Sequence, residues 1–307
     1  MSGNAVQNNG RPPLARYAWL SIGAAIATIA LKLLAWWLTD SVGLLSDALE
    51  SFVNLAAALV TLGMLILAAL PPSEQHAYGY SKAEYLASAF EGLLILIAAG
   101  AIAVAATMRL LDPRPIDQAV AGIAVSLVAS IINFAVARIL MQQARAHRSI
   151  ALEADARHLL TDVWTSAGVV VAVGAVALTG WWRLDPIIAL AVAANILWTG
   201  ATLIYRSVRG LMDEAIPDEQ REAVLAVLDG YHDLGVHYHA LRTRQAAGRS
   251  FISLHVLVPG EWTVKRGHDL AEEIEAGIRA VVPGGCVETH LEPVGDPSSY
   301  EDIHLDR

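Results

Sequence analysis

The chain has 307 residues, of which 55% are hydrophobic and 17% charged, and its mean hydropathy of +0.47 is typical of a multi-span membrane protein. The net charge of −9 arises after Ser207, where 18 Asp or Glu stand against 9 Lys or Arg, together with seven of the ten histidines. The acidic balance argues against a nucleic-acid partner. No GxxxxGK[ST] motif occurs, which argues against nucleotide as the energy source. The single cysteine, Cys286, excludes an intrachain disulfide.

Six apolar segments are long enough to cross a bilayer, which takes about 20 residues. Short stretches rich in proline, glycine or charge separate them, and such stretches end helices. The predicted spans are Leu14–Leu38, Val42–Leu70, Ala83–Leu111, Ala119–Met141, Ile150–Thr179 and Leu184–Tyr205. The domain prediction is a disordered lead (1–13), a six-helix transmembrane domain in the lipid bilayer (14–206), a soluble domain (207–296) and a C-terminal tail (297–307).

Basic residues lie mainly on one side of the predicted bundle. An even number of spans places both termini on the same side of the membrane. The basic residues that flank this side are Arg11, Arg16, Lys82, Arg138, Arg145, Arg148, Arg206 and Arg209. Those that flank the other side are Arg109, Arg114 and Arg183. The positive-inside rule therefore predicts cytoplasmic termini and a cytoplasmic soluble domain.

Two of the spans carry polar stripes at helical spacing. The stripe on the second span consists of Asp47, Glu50, Ser51 and Asn54. The stripe on the fifth span consists of Asp155, His158 and Asp162. Ionisable groups in a bilayer are costly unless they are paired or face a cavity, so the two stripes are expected to meet. Carboxylates and an imidazole suit a divalent metal, Zn²⁺ in particular, with Fe²⁺, Co²⁺ or Cd²⁺ as alternatives. A purely structural hydrogen-bonded interface is the other reading.

The soluble part is predicted to run helix, strand, strand, helix, strand, an order that suggests an α+β ferredoxin-like fold. "RSFISLHVLVP" alternates with Ile252, Leu254, Val256 and Val258 on one face, as a half-buried strand does. His237 and His239 lie two residues apart, as do His290 and Glu292, so each pair shares one face of a strand. Three strands that present imidazole or carboxylate groups predict a second metal site.

The chain resembles the cation diffusion facilitator family through "LKLLAWWLTDSVGLLSDALES", "YGYSKAEYLASAFEG", "EADARHLLTDVWTS" and "LMDEAIPD…LRTRQAAG". The resemblance covers nearly the whole chain. It implies a homodimeric secondary antiporter, not an enzyme, in a bacterial inner membrane, which exports Zn²⁺ (or Fe²⁺, Cd²⁺, Co²⁺ or Mn²⁺) in exchange for protons. The transport-site positions that it implies are Asp47, Ser51, His158 and Asp162. Ser51 departs from the usual Asp or His, so Glu50 and Asn54 remain auxiliary candidates.

The resemblance also implies sites outside the bundle. The metal-binding positions that it assigns to the cytoplasmic domain, where the metal is a regulatory ligand, are His239, His255, His268, His290 and Glu292. His76, in the loop after the second span, is expected to give only a weak metal site. Lys82 is expected to form an interdomain salt bridge with Asp213. Two alternatives stay open: a membrane-anchored metal sensor without transport, and a membrane metalloenzyme that activates water.

Overall fold

The computed structural model of the chain describes residues 14–39, 42–112 and 119–301. The chain divides after Val208 into two compact units. The predicted lead, 1–13, and the last part of the predicted tail, 302–307, lie outside the described residues.

The described residues of the first unit form six helices, as predicted. They are α1 (Ala15–Thr39), α2 (Val42–Ala68), α3 (Ala83–Leu111), α4 (Ala119–His147), α5 (Ile150–Thr179) and α6 (Leu184–Leu211). The bounds follow the predicted spans closely, except that α4 continues past Met141 and α6 continues past Tyr205. Both extensions contain Arg, Ala or Leu, which favour helix, so the backbone continues in the helical state beyond the apolar segment.

The helices of this unit have the composition of a transmembrane domain. Within the described residues, four stretches are long and apolar enough to span a membrane: Ala15–Leu34, Ala83–Leu111, Leu127–His147 and Pro186–Leu211. The remaining two helices, α2 and α5, are those with the polar stripes, and α2 keeps an apolar run over Asn54–Ala68. Large apolar side chains such as those of Trp19, Ile97 and Trp198 are exposed on the outside, where lipid replaces water as the solvent. The six helices form the transmembrane domain.

Small residues bring α3 and α6 into close contact. A Cβ atom at Gly92 would lie 2.9 Å from Cγ1 of Ile204 and 3.1 Å from the carbonyl oxygen of Gly200. A Cβ atom at Gly200 would in turn lie 3.0 Å from the carbonyl oxygen of Gly92. Only glycine permits this backbone approach, which is a common way for helices to associate in a membrane.

The described residues of the second unit form two α-helices and a three-stranded sheet, in the predicted order. The elements are α7 (Asp218–Asp229), β1 (His237–Ala246), β2 (Arg249–Val258), α8 (Val264–Val281) and β3 (Gly285–Pro293). The strand order is β1-β2-β3; β1 and β2 are antiparallel, and β2 and β3 are parallel because α8 connects them. A 3₁₀ helix over Pro297–Tyr300 begins the predicted tail.

The core of this unit lies between one face of the sheet and the two helices. Ile252, Leu254 and Val256 of β2 are buried there against Ile274 and Ile278 of α8 and other apolar residues. The alternation of β2 is therefore confirmed, although Leu257, which a strict alternation places on the opposite face, is also buried. Because side chains alternate along a strand, His255 lies on the face that α8 does not cover.

Candidate functional site

The two predicted stripes meet inside the transmembrane domain. The side-chain amide of Asn54, on α2, joins two residues of α5. Its Oδ1 lies 2.8 Å from Nε2 of His158, and its Nδ2 donates to Oδ2 of Asp162 at 2.5 Å. His158 and Asp162 are four residues apart and thus share one face of α5. The contact brings together the amide of Asn54, the imidazole of His158 and the carboxylate of Asp162.

The second-span residue for which the structure shows these hydrogen bonds to α5 is Asn54. The Ser51 hydroxyl is buried and accepts a hydrogen bond from Nζ of Lys32, on α1, at 2.8 Å. The predicted ligand Asp47 and the auxiliary candidate Glu50 lie on α2, but their side chains are outside the described part of the chain. Their role in the transport site remains a prediction.

Other helices complete the surroundings of the α2–α5 contact. Asn133, on α4, donates from Nδ2 to the same Asp162 oxygen at 3.3 Å. Asp155, one turn before His158, is buried and accepts a hydrogen bond from the hydroxyl of Ser21, on α1, at 2.9 Å. Oδ2 of Asp155 has no hydrogen-bond partner among the described residues. The polar centre therefore draws on α1, α2, α4 and α5.

A buried carboxylate on α3 was missed by the sequence analysis. Oε2 of Glu91 lies 2.8 Å from Nδ1 of His158, and its Oε1 accepts a hydrogen bond from Thr61 at 3.2 Å. The ring N–H of His158 is not aligned with this carboxylate, so the contact is a close ion-pair geometry rather than a linear hydrogen bond. The available signal was an acidic residue inside an otherwise apolar span, a pattern that marks functional positions.

The directions of the hydrogen bonds show which ring nitrogen of His158 carries a proton towards Asn54. The amide nitrogen of Asn54 donates to Asp162, so its Oδ1 is the atom that faces Nε2 of His158. The ring nitrogen therefore donates a proton to Asn54 in this arrangement. A metal ion that bound Nε2 would replace that proton, because a metal ligand must offer a lone pair.

A second cluster lies on the open face of the soluble sheet. The strand register aligns His239 with His255 across β1–β2, and His255 with His290 across β2–β3. The carboxylate of Glu292, which is 7% exposed, lies 2.7 Å from Nε2 of His239 and 3.2 Å from Nδ1 of His255. Donor atoms of His239, His255 and Glu292 all lie within 4.8 Å of one another. Two imidazoles and a carboxylate at this spacing match the donor set and size of a zinc site.

The remaining predicted residues of this domain differ in position. His290 is at the margin of the cluster, with Nε2 3.7 Å from Glu292. His268 is exposed on α8, and the structure does not bring it to the cluster within the soluble unit. The reason is topological: Gly267 packs against Leu291, which points to the helix side of β3, whereas Glu292 points to the other side. His268 therefore lies outside the group formed by His239, His255 and Glu292 within the soluble unit, and its role as a metal ligand remains a prediction.

The short 3₁₀ helix after β3 packs beside this cluster. The ring of Tyr300 lies 5.6 Å from that of His239, in an edge-on arrangement. Asp296 caps this helix, since its Oδ1 accepts the backbone N–H of Ser298 at 2.9 Å. This hydrogen bond and that from the Ser298 hydroxyl lower the pKa of Asp296 below its usual value. The first residues of the predicted tail thus belong to the wall of the cluster.

Two further predictions concern residues outside both clusters. His76 is exposed and stacks on Tyr80 at 4.5 Å between ring centroids, and it belongs to no group of three metal-ligating side chains within the described residues. The predicted pair Lys82–Asp213 would join the two units and remains a prediction. Within the soluble unit, Oδ1 of Asp213 lies 3.3 Å from Nη1 of Arg244.

Comparisons with known proteins agree with this organisation. The family model of the cation efflux transmembrane domain matches residues 18–212, and that of the cation efflux cytoplasmic domain matches residues 216–294. The chain is 54% identical over 285 residues to the "uncharacterized transporter sll1263" of Synechocystis sp., which covers 93% of this chain and 92% of that protein. It is 30% identical over 280 residues to the "cation-efflux pump FieF" of Klebsiella pneumoniae, with 91% and 93% covered. The pump of the same name from Citrobacter koseri is 31% identical over 266 residues, with 86% and 88% covered.

Proposed function

The chain belongs to the cation diffusion facilitator family, and on this premise we propose that it is a homodimeric antiporter that exports Zn²⁺ in exchange for protons. Membership makes it an integral membrane protein that transports divalent cations out of a compartment, and a transporter rather than an enzyme. The metalloenzyme alternative is set aside on this ground. The proposal goes further in four respects: the identity of the metal, protons as the counter-ion, the homodimer, and the orientation of the termini in the membrane.

The observation that carries the proposal is the contact between α2 and α5. Asn54, His158 and Asp162 offer amide oxygen, imidazole nitrogen and carboxylate oxygen at one point inside the bundle. We propose that the cargo ion binds there, with Glu50, Asp47 or Ser51 completing its coordination. Zinc accepts such mixed nitrogen and oxygen ligands in a tetrahedron, whereas Fe²⁺, Co²⁺, Cd²⁺ and Mn²⁺ are the competing cargoes.

Proton exchange follows from the requirements of the ligands. His158 and Asp162 must release their protons before they bind the metal, and protonation of the same atoms expels it. In the proposed cycle, the site releases protons as it loads metal from the cytoplasm. It takes protons from the opposite side as it unloads. Metal and protons thereby compete for the same lone pairs, which couples their opposite movements.

The soluble cluster supports a regulatory part of the proposal. His239, His255 and Glu292 belong to the second unit and lie on the sheet face opposite the core that contains α8. We propose that cytoplasmic metal binds there and promotes association of two soluble units. The match to the cytoplasmic dimer domain of the family supports the homodimer. The charge distribution of the loops supports cytoplasmic termini and an inner-membrane location.

Flux through reconstituted vesicles tests the proposal. Purified protein is placed in liposomes that contain a metal-sensitive dye, and Zn²⁺, Cd²⁺, Fe²⁺, Co²⁺ or Mn²⁺ is added with and without a proton gradient. We expect saturable Zn²⁺ entry that depends on the gradient, and its loss in Asp162→Asn. The matched control is Glu84→Gln, which neutralises a buried carboxylate that pairs with Ser149 instead. Metal binding without flux of any ion would favour the sensor alternative and reject the antiporter.

A further inference from the structure

The position of Glu91 is unusual for an acidic residue. It lies on α3, an apolar helix long enough to span the membrane, and it is only 1% exposed. A carboxylate in such a place is costly unless other groups hold it. Oε1 accepts a hydrogen bond from the Thr61 hydroxyl, and Oε2 lies 2.8 Å from Nδ1 of His158 in an ion-pair contact without an aligned hydrogen bond.

We propose that Glu91 is a positioning residue for metal transport: through its close ion-pair contact with Nδ1, the carboxylate restrains the His158 ring so that Nε2 faces Asn54. The proposal rests on the transport function proposed above. Histidines that bind metals commonly give their second ring nitrogen to a carboxylate, which fixes the ring orientation and makes the other nitrogen a better donor. Here that carboxylate comes from a third helix, whereas the metal-facing groups are on α2 and α5.

The geometry assigns Glu91 this role rather than that of a direct ligand. The two ring nitrogens of an imidazole point in diverging directions. Glu91 contacts Nδ1 and Asn54 contacts Nε2, so the two side chains lie at opposite edges of the His158 ring. An ion bound between His158 Nε2 and Asp162 would therefore have the imidazole between itself and Glu91. Thr61 in turn limits where the carboxylate can lie.

The negative charge of Glu91 has a second effect, which also favours binding of a cation by His158. Asn54 contacts both α5 residues, but its amide is neutral. Glu91 adds a negative charge behind the imidazole, where it strengthens the attraction of Nε2 for a cation. A site with a neutral amide in contact with the cargo thus retains a high affinity through a carboxylate that does not touch the metal.

The test combines metal binding with transport in the full chain. All variants carry His239→Ala, so that the membrane site dominates Zn²⁺ or Cd²⁺ binding measured by calorimetry in detergent. Glu91→Gln keeps the side-chain volume and removes the charge. We expect a 10- to 100-fold weaker binding, the usual effect of losing such a partner. In vesicles we expect a corresponding rise in KM with a smaller change in kcat. Thr61→Val keeps the negative charge of Glu91 but removes the hydrogen bond that orients its carboxylate. We expect metal affinity to fall about fivefold, which corresponds to the loss of one hydrogen bond.

A double-mutant cycle separates positioning from packing. If Glu91 acts through His158, Glu91→Gln has no further effect on metal affinity once His158→Gln is present. A role in packing alone would give additive losses in the two backgrounds. Glu84→Gln is the control, since Glu84 is a buried acid on the same helix whose partner is Ser149. We expect it to leave metal affinity and KM unchanged.

The outcomes distinguish this inference from the proposed function. Wild-type flux with unchanged metal affinity in Glu91→Gln and Thr61→Val, or with additive losses in the cycle, would overturn the role of Glu91 and leave the antiporter intact. Metal binding that weakens as expected and is coupled to His158, in a protein that shows no flux for any ion, would support the role of Glu91 and reject transport.

Discussion

Replacement of Glu292 by Gln tests the soluble metal cluster most directly. Glu292 is the carboxylate that both His239 and His255 approach, at 2.7 and 3.2 Å. The substitution keeps the shape and removes the one anionic donor of the three-residue cluster. A metal that binds only the folded state stabilises it by about 2.7 kcal/mol at a free concentration of about 100 times Kd. This free energy corresponds to a roughly hundredfold change in the opening equilibrium.

Hydrogen exchange of the full chain measures this change segment by segment. In the wild type we expect Zn²⁺ to slow exchange of the most protected amides of β1, β2 and β3 by up to about a hundredfold. In Glu292→Gln we expect the metal to have little effect on the same amides. Glu288→Gln is the matched control, because Glu288 is exposed on the same strand and lies on the same face, about 13 Å away at strand spacing. Full metal protection in Glu292→Gln would refute the assignment of these three residues as a metal site.

Three further substitutions test other parts of the structure. Gly284→Ala places a Cβ 2.7 Å from a backbone carbonyl at a φ of +76°, so we expect the soluble unit to lose about 1–3 kcal/mol, measured as faster hydrogen exchange in its sheet. Gly92→Leu forces a side chain against Ile204, and we expect about 1–3 kcal/mol of destabilisation, measured as earlier thermal loss of the monodisperse chromatographic peak. Asn54→Asp puts a second carboxylate beside Asp162, and we expect tighter Zn²⁺ binding in calorimetry, with lower stability in the absence of metal.

The two glycine substitutions each have a matched comparison. Gly235→Ala also has a positive φ, of 71°, but no atom lies within 4 Å of its added Cβ, so it should cost less than Gly284→Ala. Gly100→Leu, on α3 in open space, should leave the chromatographic peak intact. Equal losses at the paired glycines would contradict the contact-based argument. Weaker Zn²⁺ binding in Asn54→Asp would contradict placement of Asn54 beside the ion.

The sequence predicted the order of elements well because each signal is local. The six apolar runs, the alternation of β2 and the single face shared by His158 and Asp162 all depend on the geometry of one helix or strand. The α+β soluble domain followed in the same way from the order of its patterns. These parts required no knowledge of how distant segments pack.

The choice among residues of the second-span stripe was beyond the sequence. Ser51 and Asn54 share one side of α2, and periodicity cannot tell which of them is level with His158. In the structure the Asn54 amide is at that level and Ser51 contacts Lys32. Glu91 was missed for a related reason, since a lone acid on a third helix acquires a role only when packing brings it to the imidazole.

The glycine contact between α3 and α6 has a consequence for how the centre responds to motion. Glu91 immediately precedes Gly92, where a Cβ atom would have no room beside Gly200 and Ile204, so the carboxylate lies next to the close contact between α3 and α6. The imidazole that it steadies is mounted on α5. Because α3 also packs along α5, the packing of these two helices sets the distance between the carboxylate and the imidazole. A displacement of α3 along α5 would therefore change the contact between Glu91 and His158 directly.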